Sequence, residues 1–263
     1  MTFDFGNTPE SEAFFDRHPK FFDTFERLML LGNKFFGRVS PAKDHAEDVC
    51  FCLGHTCRDD YIEILFLAAN GYGTGASKLL RGLYERAVTI AHIARHPEKV
   101  DQFIHFAAIQ EYRAMEAALE IVDEKGFNEA FAPSASVASI RQLYDRFRAE
   151  FPGRAASWDV GLNKMAKALG DPYDKYYLSS YTIPNFHVHA TLASALDGTP
   201  KEIRAERNIQ NADFALFNAT ACLLFVMREQ NNLFHLGLEA EIEGCERDVI
   251  DVFVPFKAEK RAH

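Results

Sequence analysis

The stretch from Gly71 to Lys99, GYGTGASKLLRGLYERAVTIAHIARHPEK, constrains the fold more than any other part of the chain. At about 100° of rotation per residue, Leu79, Leu80, Leu83, Ala87, Ile90, Ala91 and Ala94 fall within one broad apolar arc. Arg81, Glu85, His92 and His96 line up on the opposite side, with Tyr84 and Val88 flanking them. Thr74 can cap the first turn through its hydroxyl, and Pro97 disfavours helical geometry at His96. The spacing predicts one long amphipathic helix that opens in a glycine-rich loop and stops near His96.

Helical periodicity continues on both sides of this stretch. Phe21, Phe22, Phe25, Leu28, Met29 and Phe36 mark an apolar face after Pro19. A helix is expected from Asp44 to Asn70, bent near Gly54, and others over 100–125, 136–151, 158–170, 184–196 and 213–234. Val249 to Phe256 alternates in a β-like manner. No internal repeat or sustained heptad is present. The chain is therefore expected to be all-α, a single multi-helix bundle with a short irregular or β-like C-terminal tail. Its expected divisions are a Phe-rich helical segment (1–43), the main bundle (44–236) and the tail (237–263).

Composition narrows the function classes. A chain of 263 residues can bury a sizeable core without disulfides or metals. With 24 Phe and a single Trp, that core should be phenylalanine-rich. A formal net charge of -9 disfavours non-specific nucleic-acid binding. Five cysteines, an odd number without paired spacing, point to a reducing compartment. The N-terminus lacks a basic start followed by an apolar run. The most apolar window, Phe214 to Met227, is shorter than the roughly twenty residues of a bilayer span. A soluble cytoplasmic protein without membrane contact is expected. That same window is apolar on nearly every side, so it could pack between subunits as readily as within one, as in a homo-oligomeric assembly module.

Four constellations could carry chemistry. Arg81 and Glu85, one turn apart, offer a planar fork of donors and an acceptor to a polar or anionic ligand; facing water they would be an ordinary ion pair. His187 and His189 point to opposite sides of a helix, so they could share a metal only in an extended segment. Cys50, Cys52, His55 and Cys57 diverge on a helix and read as core thiols. Arg228 with His235, and Arg86 with His92, fit a loose pattern resembling that of the HEPN ribonucleases, helical bundles in which His acts as base or acid and Arg steadies phosphate. No phosphate loop, nucleophile elbow or Glu-x-x-His carboxylate site is present, and no metal or cofactor is expected.

The string DYIEILFLAANGYGTGASKLLRGLYERAVTIAHI, with the later W…MAKALG…YDKYYLSSY…NFHVHAT, resembles the domain of unknown function 5677 family over about residues 60–195. The family is bacterial and helical, without an assigned activity. Its pattern of Arg and Glu on one helix, with a Ser/Tyr and then a His segment later, falls here on Arg81, Glu85, Ser180, Tyr181 and His189. The resemblance implies that two distant segments return to one place. The leading expectation is thus a binding domain of unidentified ligand with a polar pocket of Arg81, Glu85, Tyr181 and His189. A metal-independent ribonuclease of defence or toxin type, using Arg228 and His235, is the alternative.

Overall fold

Helix α4 (Gly73–Arg95) forms where the apolar arc predicts it. The computed structural model describes residues 8–39, 42–131, 135–152, 157–189 and 209–253. They fall into two compact units, one from the two ends of the chain (Met1–Arg95 with Met165–His263) and one from His96–Lys164.

In the first unit, α1 (Thr8–Arg17) and α2 (Phe21–Phe36) precede α3 (His45–Ala69) and α4. Asp44 caps α3 by accepting from the Glu47 amide at 2.9 Å. Contrary to the expected bend, α3 runs unbroken through Gly54. A Cβ there would lie 2.0 Å from Gln230 Nε2, so this glycine serves close helix packing instead. Thr74 lies inside α4, not at its cap.

The long helix α12 (Ile209–Phe234) packs against both α3 and α4, and these three form the core. Buried residues run along it from Ala212 to Asn231 on every side. The apolar window that suggested subunit packing is therefore already covered within one chain. The expected β-like tail is corrected here: α13 (Glu239–Phe253) is a helix packed on α2 and α12. Ile242, Cys245, Val249, Val252 and Phe253 bury one face at helical spacing. Residues 254–256 lie outside the described residues.

The second unit carries α5 (Val100–His105), α6 (Ala107–Leu119), α7 (Glu124–Ala130) and α8 (Val137–Glu150). The helix expected over 100–125 is interrupted at Phe106. Helices α6 and α8 pack together over Met115, Val137 and Ile140 at one end and Phe106, Ile109 and Phe147 at the other. Tyr112 stacks on Tyr144 at 3.9 Å between them. No described helix is long and apolar enough to cross a membrane.

Candidate functional site

The tyrosine-rich segment DPYDKYYLSSYT returns the chain to α4. It follows α9 (Leu162–Leu169), forms α10 (Tyr173–Tyr177), winds into a π-helical turn (Leu178–Thr182) and continues as α11 (Ile183–Val188), with Pro184 at its start. The π turn packs on α4 and α12. Such turns insert a residue into the helical ladder and redirect side chains, and they recur at functional sites. Here Ser179 and Ser180 donate to Asn218 Oδ1 at 2.8 and 3.3 Å, while Asn218 Nδ2 is held by the Phe214 carbonyl. The π turn is thereby pinned to α12, leaving Tyr181 facing α4.

Arg81 and Tyr181, a hundred positions apart in the chain, meet. An Arg81 terminal nitrogen donates to the Tyr181 hydroxyl at 3.3 Å, and its guanidinium carbon lies 5.0 Å from the centre of the Tyr181 ring. Tyr177 stacks on Tyr181 at 5.3 Å. Tyr84, wholly buried, lies 6.3 and 6.4 Å from these two rings and donates its hydroxyl to the Tyr173 carbonyl at 2.6 Å. Arg81 is half-buried, its Nε is sealed from solvent without a hydrogen-bond partner, and no described carboxylate pairs with it. A sealed N–H without an acceptor costs about 1–3 kcal/mol.

The other predicted residues are placed as follows. Glu85 is exposed and makes no ion pair with Arg81. His189 is exposed just past α11, where its amide meets the Asn185 carbonyl at 3.4 Å, and no contact joins its ring to Arg81 or Tyr181. The polar stripe does not run the length of α4, because His92 is buried in the core, and His96 lies beyond the helix. Arg86 is tied to Asp60 on α3 at 2.5 Å rather than to His92. Arg228 pairs with Glu246 on α13 at 2.5 Å. His235 is exposed beyond the end of α12 at φ 53°. Neither Arg–His pair is joined. Cys50 and Cys57 are buried and Cys52 is exposed. Among the described residues, no group of His, Cys, Asp or Glu is arranged to hold a metal.

Two other arginines carry instructive environments. Arg95 donates to buried Glu229 at 2.8 Å and to the Leu169 carbonyl at 3.0 Å, and Tyr173 donates to the same carboxylate at 2.9 Å. Burial first, and Glu229 second, push the Tyr173 hydroxyl far above its ordinary range. Arg38 lies 4.2 Å from the centre of the Phe234 ring and donates Nε to the Phe35 carbonyl at 2.9 Å. That carbonyl belongs to the last turn of α2, where an arginine complements the helix end. Arg81, in mid-helix, has neither a helix end nor, among the described residues, an acid.

Sequence reading placed Tyr84 beside the stripe but did not single out Tyr177 or Asn218 around this site, although three tyrosines in five positions (Tyr173, Tyr176, Tyr177) were a visible signal. It also missed the buried contact of His18 Nε2 with Asp213 at 3.1 Å, which ties the end of α1 to α12. No curated protein and no solved structure matches the chain. Residues 47–199, more than half of the chain, match a family of unknown function, and they include α3, α4, the π turn and α11. The chain is a member of that family, DUF5677.

Proposed function

We propose that this protein is a ligand-binding domain whose ligand presents an anionic group to Arg81. One observation carries the reading: a half-buried guanidinium with a sealed, unpartnered Nε that, among the described residues, meets a hydroxyl and a ring but no counter-charge. A desolvated cation gains most from an acceptor that is itself charged, and the planar fork of arginine suits carboxylate or phosphate. Tyr181 supplies a hydroxyl at the same place. Glu85 and His189, both exposed, belong to this reading as rim groups that an incoming ligand could engage.

The test is thermal stabilisation by inorganic phosphate and by acetate. At tenfold above its Kd a ligand stabilises the native state by about 1.4 kcal/mol, which raises Tm by roughly 3–5 °C in a chain of this size. Wild type should respond to at least one of the two anions, Arg81→Lys less, and Arg81→Ala not at all. Arg228→Ala, which removes a surface charge elsewhere, should keep the full response. An undiminished response in Arg81→Ala would overturn the assignment. RNA cleavage abolished by Arg228→Ala or His235→Ala would move the function to the end of α12.

A further inference from the structure

We infer that the anion bound at Arg81 is carried on a flat aromatic ring, an aryl carboxylate or aryl phosphate. This rests on the anion-binding reading above and adds the body of the ligand to its charge. An inorganic anion would need the arginine and a hydroxyl alone, yet the guanidinium stands at the edge of a tyrosine platform. Arg81, Tyr181 and Tyr177 follow one another at 5.0 and 5.3 Å, the two rings only 29° from parallel. Tyr84 borders both rings at 6.3 and 6.4 Å; it is wholly buried, and its hydroxyl already donates to Tyr173. Tyr177 and Tyr181 are both half-exposed, so solvent reaches this tyrosine pair beside the charge. Leu178 and Ile183, close to the pair in the chain, are exposed apolar residues at 61% and 38%. A π face next to an unneutralised guanidinium matches a ligand that stacks and carries a negative substituent in the plane of its ring.

Four probes separate ring from charge: acetate against benzoate, and inorganic phosphate against phenyl phosphate, each titrated by calorimetry. Stacking adds roughly three- to tenfold in affinity. Each aryl probe is therefore expected to bind tighter than its bare anion by that factor, and the stronger of the two pairs identifies carboxylate or phosphate. Tyr177→Leu should bring both ratios to about one, while Tyr177→Phe, which keeps the ring, should preserve them. Should Tyr177→Leu fail to fold, saturation transfer from tyrosine ring protons to benzoate in the wild-type protein decides the matter; its absence at saturating benzoate removes the ring. Aryl and bare anions of equal affinity, with binding lost in Arg81→Ala, would overturn this inference and leave the anion site standing. No binding of any probe would remove both.

Discussion

Helix α4 carries three arginines and treats them differently along its length. At the C-terminal end, Arg95 is locked among Glu229, the Leu169 carbonyl and the ring of Tyr173. In the middle, Arg81 has a tyrosine hydroxyl, a tyrosine ring and, among the described residues, no acid. Arg86 lies between these cases, paired with the half-buried Asp60. A guanidinium whose charge is already answered braces helices; one left unanswered beside open aromatic surface is available to a ligand. Stability and function are thus separated along a single helix.

Alkaline pH should probe the braced end most strongly. Burial, aided by Glu229, pushes the Cys50 thiol from 9.0 up to about 12, and burial does the same to Cys222. The unfolded chain loses these protons first, so stability is intact below pH 9 and falls as pH rises toward 12, by about 1.4 kcal/mol per pH unit for each thiol. Urea titrations between pH 7 and 11 read this slope. Glu229→Ala should flatten it slightly by removing one cause of the Cys50 shift.

At neutral pH the same substitution should lower stability by about 1–3 kcal/mol, because it leaves the buried Tyr173 hydroxyl without its acceptor. Asp60→Ala should cost less, about 1 kcal/mol, since Asp60 is less buried than Glu229 and its loss leaves no buried hydroxyl without an acceptor. Arg81→Ala should change stability least, by at most about 1 kcal/mol, the worth of one cation–π contact and one long hydrogen bond. Equilibrium urea unfolding of the three variants ranks them. If Arg81→Ala proved as damaging as Glu229→Ala, the contrast along the helix would be gone.

Much of this architecture could be read from the residues. The arc of Leu80, Leu83, Ala87 and Ile90 placed α4, and the resemblance brought Tyr181 to Arg81. The run of polar residues at Arg81, Glu85 and His92 misled, because periodicity on one helix cannot show how many neighbours enclose it. Here α3, α12 and the π turn cover three sides, which buries His92 and leaves Glu85 outside. The C-terminal helix was misread for a different reason: the alternation within Val249 to Phe256 suggested a strand, while the wider spacing of Ile242, Cys245, Val249 and Val252 is helical. The π turn had no sequence signature, since it depends on Asn218 arriving from a distant helix to hold Ser179 and Ser180.

The most direct test of the contrast follows arginine Nε–H resonances by NMR during titration with phosphate or benzoate. The Arg81 Nε–H signal, assigned by its loss in Arg81→Lys, should shift in a saturable manner while those of Arg86 and Arg95 hold still. Shifts of equal size at all three, or none at Arg81 up to saturating concentrations, would contradict the assignment of this arginine to a ligand.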